Sequence, residues 1–206
     1  MDSFTRSFLL MFVLLNPFIM SVYLLDLVKA LSLAGFARQL TRAAIISMVV
    51  LGLFAWSGDR VFENVMQVRF FAFLIFGGVI FLIVGIRLIS GMGPAAASLK
   101  VEEKELAASI AMPFIIGPGT ISAAVLAGTR LGPLRAQFAI ALALTTAVAA
   151  ILVLKVLHDA AKTRHERLLQ RYTEIAGRVT ALFTGSFAID MILRGFEAWM
   201  AATGQR

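Results

Sequence analysis

An apolar run long enough to cross a membrane is interrupted near its centre by helix-breaking residues. The run covers residues 110–126, IAMPFIIGPGTISAAVL, and includes Pro113, Gly117 and Pro118. Proline lacks an N–H and clashes with the preceding turn, so Pro118 leaves the carbonyl of Phe114 without its helical partner. Gly117 followed by Pro118 is typical of a helix start. A helix that begins inside a membrane directs N–H groups toward the bilayer centre, where only protein, water or a ligand can satisfy them.

The first apolar run contains the same kind of interruption. Asn16 and Pro17 lie near its centre, and asparagine and proline are preferred residues at a helix start. When the two runs are overlaid, Pro17 matches Pro118 and Ser21 matches Ser122. Interrupted helices at corresponding places in two halves of a chain are typical of transporter binding sites.

Composition places the chain in a membrane. Of its 206 residues, 60% are hydrophobic and 15% charged, whereas soluble domains average about 45–50% apolar and about 25% charged residues. There is no cysteine, and both histidines lie in a polar segment, so we expect no cofactor and no metal site. The net charge of +7 lies mainly between apolar runs, which indicates membrane orientation rather than nucleic acid as a partner.

Six membrane spans are expected, of which the second is short and the others are close to the roughly 20 residues that a bilayer requires. They are residues 8–31, 43–56, 70–89, 106–128, 136–157 and 175–199. The first run has a weakly basic start and no prompt cleavage site, which favours a retained span over a signal peptide. The polar segment 158–178 is predicted to be a loop on acidic headgroups, with Lys155 at the end of the fifth span.

The distribution of cations predicts the orientation. The segments after spans one, three and five carry more Lys and Arg than the opposite side, which places them in the cytoplasm and both termini outside.

The third and sixth spans extend the internal repeat. Gly78 falls on Gly185 and Arg87 on Arg194. Because each half has three spans, the second half enters the membrane from the opposite side. The predicted fold is therefore an all-α membrane protein with six transmembrane helices in a three-plus-three inverted-topology repeat. Its first and fourth helices are interrupted at the midplane. Residues 1–94 and 106–206 form the two repeats, and residues 95–105 connect them.

The two interruptions predict a site for a small zwitterionic solute. Helix N-termini supply donors for a carboxylate, and the carbonyls freed at Val13 and Phe114 suit an ammonium group or a coupling cation. The alternative is two kinked helices that only pack against each other. The predicted substrate-binding residues are Asn16, Pro17, Ser21, Gly117, Pro118, Gly119, Thr120 and Ser122.

Asp190 is the acid that lies well inside a predicted span. An intramembrane carboxylate is a candidate for ion coupling. Arg194 follows one helical turn later, so a local ion pair is the alternative interpretation, and it is the one we favour.

These motifs resemble those of the MarC family of bacterial inner-membrane proteins, also called the small neutral amino acid transporter family. The resemblance rests on Asn16-Pro17, on Ile116-Gly117-Pro118-Gly119-Thr120-Ile121, on the basic segment before span two and on the glycines of spans three and six. It implies a six-span inverted repeat in the inner membrane with outside termini, and transport of amino acids such as glycine or alanine, coupled to a proton or sodium gradient. Many members carry Asp-Pro-x-Gly in span one, where this chain has Asn16-Pro17-Phe18-Ile19.

Two other functions are compatible with such a sequence. A non-transporting membrane scaffold would not need the two breaks. A lipid-phosphate enzyme, or less directly a flippase, is the other alternative. The chemistry of such an enzyme needs paired acids and arginines near the site, and the spans supply Asp190 and Arg194 but no second acid beside either break. We therefore expect no enzyme activity and no catalytic residues.

Overall fold

Helices account for the regular structure, and prolines begin three of them. The computed structural model describes residues 2–58, 68–90, 106–162 and 166–204. The helices are α1 Ser3–Leu15, α2 Pro17–Tyr23, α3 Leu25–Ala30, α4 Leu33–Ser57, α5 Phe70–Ile89, α6 Leu106–Ile110, a π-helical turn Ala111–Ile115, α7 Pro118–Leu131, α8 Pro133–Lys162 and α9 Glu166–Thr203. Among these described residues none lies in a β-strand.

Side-chain caps define the starts of two further helices. The Asp2 carboxylate accepts a hydrogen bond from the Thr5 N–H at 3.2 Å and opens α1. The Ser32 hydroxyl accepts one from the Gly35 N–H at 3.2 Å and opens α4. Both residue types are preferred N-caps, because a short side-chain oxygen reaches the N–H groups that the first turn leaves unpaired.

Most predicted spans correspond to observed helices, but the loop predicted between spans five and six is largely helical. α5 coincides with the predicted third span, while α4 begins ten residues before the predicted second span, at 33 rather than 43. The prediction of a loop over 158–178 is wrong for most of that segment, because α8 continues to Lys162 and α9 begins at Glu166. Charged side chains one turn apart are compatible with a helix, so polarity alone did not mark a loop there.

The fold is that of a helical membrane protein. In the described part of the chain, three helices are long and apolar enough to cross a membrane: Leu33–Ser57, Phe70–Arg87 and Pro133–Ala160. They correspond to predicted spans two, three and five. Spans one and four are divided into shorter helices, and α9 covers the predicted sixth span. The full count of six spans and their inverted topology stay predictions, and the connecting segment 95–105 lies outside the described residues.

The positions at which helices begin and end recur in the two halves of the chain. The segment from the start of α2 to the end of α3, Pro17 to Ala30, is followed 101 residues later by α7, Pro118 to Leu131 (17 to 118 and 30 to 131). A long helix follows each segment: α4 in the first half and α8 in the second. The two halves therefore share both the order of their helices and the position of the break.

The core is built mainly where α1, α4, α7 and α8 meet. Its fully buried members include Met11, Leu15, Phe36, Leu40 and Ile140. α8 contributes a row of buried alanines at 136, 139, 143 and 147, whose small side chains permit close helix approach.

α5 and α9, which correspond to the predicted third and sixth spans, pack against each other at glycines of α5. A methyl group added to Gly78 would lie 2.7 Å from the Ala188 carbonyl oxygen, and one added to Gly85 would lie 3.2 Å from the Gly185 nitrogen. Since higher numbers in α5 meet lower numbers in α9, the two helices run antiparallel. Their backbones approach too closely for larger residues at these positions.

A buried lysine joins the two halves of the chain. Lys155 was predicted at a span end, but its side chain is only 3% exposed. Its ammonium donates to the Val28 carbonyl of α3 at 2.6 Å and to the Asp159 carboxylate at 2.8 Å. A cation near the C-terminal end of a helix is favourable because the last carbonyls there lack helical partners.

The contact between α4 and α7 gives a test of this packing. A methyl group on Gly128 would overlap the Ala55 carbonyl, which is backbone and cannot rotate away. We expect Gly128→Ala to lower the free energy of unfolding by about 1–3 kcal/mol through overpacking, measured as a lower thermal midpoint in detergent. Gly185→Ala is the control, since a methyl group there meets no atom within 4 Å. Equal midpoints for the two variants would contradict the α4–α7 contact.

Candidate functional site

The break in the predicted fourth span begins before its prolines. Met112 has an extended backbone, φ −111° and ψ 128°, which is the conformation expected of a residue that precedes a proline. The Ile116 N–H then donates to the Ala111 carbonyl at 2.8 Å, a five-residue separation that widens the helix into a π turn. Gly117 is extended, φ −123° and ψ 168°, and Pro118 is the first helical residue of α7. The predicted helix start at this dipeptide is confirmed.

The Thr120 hydroxyl stabilises this break from inside. It accepts a hydrogen bond from the Gly117 N–H at 2.9 Å and donates to the Ile115 carbonyl at 2.7 Å, with the Gly117 carbonyl 3.0 Å away. Thr120 is 4% exposed. A threonine at this position reaches back to the residue before the helix, as one half of a capping box does. Its hydroxyl therefore pairs two backbone groups at the point where the helix is interrupted, the Gly117 N–H and the Ile115 carbonyl.

Two backbone donors define what this helix start can bind. Pro118 has no N–H, the Gly117 N–H is bound by Thr120, and the Ile121 N–H donates to the Gly117 carbonyl at 2.9 Å. At a helix start of this geometry, the N–H groups of Gly119 and Thr120 have no acceptor within the helix. They lie at the positive end of the α7 dipole, where an anion is favoured.

The break in the predicted first span has a different conformation. Asn16 lies in the left-handed region, φ 35° and ψ 83°, and it is the non-glycine residue with positive φ among those described. Its N–H donates to the Phe12 carbonyl at 3.1 Å, and its carbonyl accepts from the Met20 N–H at 3.0 Å. Asn16 thus ends α1 and precedes Pro17, but it lacks the extended backbone of an ordinary N-cap. Asparagine tolerates the left-handed region better than most residues.

The two breaks lie next to each other. A methyl group on Gly119 would lie 3.5 Å from Leu14 Cδ2 and 3.7 Å from Met191 Sδ. Leu14 is two residues before Asn16, so the C-terminal end of α1 meets the N-terminal end of α7. Pro118 itself packs against Gly77 of α5, in a space that a methyl group on Gly77 would overlap.

Three residues around the breaks were not predicted as site residues: Leu14, Gly77 and Met191. Met191 lies on the buried face of α9, together with Ala181, Thr184, Ala188 and Gly195. Spacings of three and four residues along this face are a sequence signal of burial. They do not indicate which neighbouring helix the face meets.

The predicted serines lie one helical turn into each segment. The Ser21 hydroxyl donates to the Phe18 carbonyl at 2.7 Å, and Ser122 is partly buried. Bonding to a carbonyl in the preceding turn is the usual state of a helical serine. A ligand contact by either serine stays a prediction.

Asp190 points away from the breaks. Its carboxylate lies 2.7 Å from Arg194 Nε, and the Asp190 and Arg194 side chains are 52% and 61% exposed. The predicted local ion pair is therefore present, on an exposed side of α9, whereas Met191 is buried. A part in ion coupling stays a prediction, and the breaks are lined by Met191 rather than by this carboxylate.

The helices, the apolar spans and the paired interruptions define an integral membrane protein. The family model for the MarC family integral membrane protein matches residues 1–200, and the chain belongs to this family. No curated protein and no solved structure matches the chain.

The role of Thr120 can be tested by removing its hydroxyl without changing its shape. Thr120→Val leaves the buried Gly117 N–H and Ile115 carbonyl without this partner. We expect a loss of stability of about 1–3 kcal/mol for each group left unpaired, measured by thermal unfolding in detergent. Thr120→Ser is the matched control, because it keeps the hydroxyl and removes one methyl group, worth about 0.8 kcal/mol. A valine variant as stable as the parent would show that the hydroxyl does not support the break.

Proposed function

We propose that this chain is a secondary transporter of small neutral amino acids such as glycine or alanine, driven by a proton or sodium gradient. It would span a bacterial inner membrane six times, as an inverted repeat with both termini outside. The observation that carries the proposal is the contact between the two interrupted helices, in which Leu14 lies against Gly119. A scaffold needs no such interruptions, whereas a transporter uses helix ends to bind solute within the membrane.

The carboxylate of an amino acid fits the N-terminal end of α7. The Gly119 and Thr120 N–H groups would donate to it, and the helix dipole favours its negative charge. The side chain of Thr120 is already bonded to the backbone on either side of the break. In this proposal Thr120 therefore contributes its N–H to the ligand, and its hydroxyl holds the loop that presents this N–H.

The ammonium group of the same solute fits the C-terminal end of α1. The last carbonyls of a helix carry the negative end of its dipole, and a cation is favoured there. α1 ends at Leu15 and Asn16 redirects the chain. Val13, whose carbonyl was predicted to lose its partner to Pro17, lies in this last turn. One helix end would thus bind each charge of a zwitterion.

The surroundings of the two helix ends favour a small solute. Leu14 and Met191 approach Gly119 within van der Waals distance of an added methyl group, and Pro118 is packed against Gly77. A large side chain would need space that these apolar groups occupy. Glycine and alanine add little volume beyond the two charged groups.

Uptake into proteoliposomes tests the proposal directly. Radiolabelled glycine and alanine are expected to accumulate when a proton or sodium gradient is imposed, and the effective gradient identifies the coupling ion. Absence of gradient-driven accumulation, in vesicles where a known transporter works, would contradict the proposal and favour the scaffold.

Pro118→Ala tests the helix break itself. Alanine restores an N–H and favours a continuous helix, so we expect transport to fall at least about tenfold, equivalent to ~1.4 kcal/mol. Pro133→Ala is the matched control, because Pro133 also begins a helix but lies in the exposed turn before α8. Equal transport by the two variants would disprove the broken-helix mechanism.

Substitutions of Asn16 separate backbone from side-chain effects. We expect Asn16→Leu to impair transport, because a leucine in the left-handed region costs roughly 1–2 kcal/mol and the side chain is apolar. Asn16→Gly adopts this conformation freely. If uptake assays find that Gly restores the activity that Leu removes, Asn16 acts through its backbone. Unchanged substrate affinity in both variants would exclude span one from the site.

A further inference from the structure

One face of α9 is exposed, carries charged residues and lies within a predicted membrane span. Its exposed residues are Val179, Phe183, Ser186, Asp190, Leu193 and Glu197, with Arg194 beside them. We call the first six the outer seam of α9. They follow each other at alternating intervals of four and three residues. This spacing places side chains in a line along which a second helix packs at a crossing angle of about 20°.

Asp190 lies deep within the predicted span. The depth of Asp190 in the membrane follows from Gly78 of α5, which packs beside it. A methyl group added to Gly78 would lie 2.7 Å from the Ala188 carbonyl and 3.2 Å from the Ile192 nitrogen, two residues before and two residues after Asp190. Gly78 is eight residues from the start of α5, about 12 Å at 1.5 Å per residue. The hydrocarbon core is about 30 Å thick, so Asp190 lies roughly 12 Å below one end of the span.

Lipid is a poor neighbour for this carboxylate. A long arginine can extend toward the interface, but an aspartate cannot reach across 12 Å. Charged groups inside a membrane are found facing protein or water, paired with other polar groups. Arg194 neutralises Asp190, with its Nε 2.7 Å from the carboxylate, yet both side chains remain more than half exposed. In the part of the chain that the structure describes, this face therefore lacks a polar cover.

A second copy of this chain supplies a cover with matching charge. Copies inserted in the same direction place their α9 helices at the same depth, so a two-fold axis along the membrane normal brings Asp190 and Arg194 of both copies together. Guanidinium has five N–H donors in a planar fork. One contact at Nε leaves donors for the carboxylate of the other copy. Two aspartates and two arginines then form a closed, neutral cluster.

We propose that the outer seam of α9 is the interface of a two-fold dimer, in which each Arg194 binds both its own Asp190 and that of the second copy. The apolar members of the seam, Val179, Phe183 and Leu193, pack around this cluster. A polar residue within such a seam sets the register of the two helices. The inference concerns assembly and does not depend on whether the chain transports amino acids.

Cysteine cross-linking gives a clean test, because the natural chain has no cysteine. Ser186→Cys places a thiol in the centre of the seam. In membranes treated with copper phenanthroline, two thiols lose two protons and two electrons to the oxidant and form a disulfide. We expect a product of twice the 22.3 kDa chain mass, lost on reduction.

Ile83→Cys is the control for depth and exposure. Ile83 is 48% exposed and lies near the level of Ser186, because neighbouring Gly85 packs against Gly185. It faces away from α9 on the other side of α5. We expect Ser186→Cys to cross-link several times more than Ile83→Cys. Equal cross-linking, or a Ser186→Cys product that contains only a different protein, would overturn the proposal.

Charge substitutions in the Ser186→Cys background test the cluster. Asp190→Arg places four cations at the interface, and we expect cross-linking to fall about tenfold because like charges repel. Adding Arg194→Asp reverses the pair and should restore cross-linking. If Asp190→Arg cross-links as well as its parent, or if the reversed pair fails to recover while inserting normally, the charge cluster does not hold the interface.

Discussion

Where a membrane-spanning helix stops partway, its backbone groups must find partners within the protein, and this constraint organises the structure. At the break of the predicted fourth span, one threonine hydroxyl supplies those partners. It binds the Gly117 N–H and the Ile115 carbonyl, while the π turn pairs the Ile116 N–H with the Ala111 carbonyl. The N–H groups of Gly119 and Thr120 at this helix start can then donate to a ligand. Without Thr120, the same break would be a defect in the fold.

Packing from the other helices keeps the break in place. Pro118 lies in the space left by Gly77, and Met191 reaches the same point from α9. α5 and α9 are themselves in close contact at the glycines of α5, so the two helices behind the break are packed against each other. On the other side, Lys155 binds the Val28 carbonyl and connects α8 to the end of α3. The first interruption is therefore anchored to the second half of the chain at both its ends.

Much of this arrangement could be predicted from local chemistry. Asn16-Pro17 and Gly117-Pro118 mark the interruptions of the two spans, because proline removes a donor and blocks the preceding turn. The prediction failed where charge was taken as a sign of a loop, over residues 158–178, since a helix tolerates exposed charges on its surface. Lys155 was misjudged for a related reason. A lysine near a span end is usually an interfacial anchor, and its burial depends on the Val28 carbonyl, which is distant in the chain, together with Asp159 one turn away.

The sequence by itself determined that the chain is a helical membrane protein and where two of its predicted spans are broken. Those properties follow from hydrophobicity and from backbone chemistry within a few residues. Only the tertiary structure decided that Leu14 and Met191 lie over Gly119, that Thr120 is bonded internally, and that Asp190 faces outward while Met191 faces inward. A contact between residues far apart in the chain depends on how helices cross. The way the helices cross is set by the packing of all their faces together, so no single stretch of sequence predicts it.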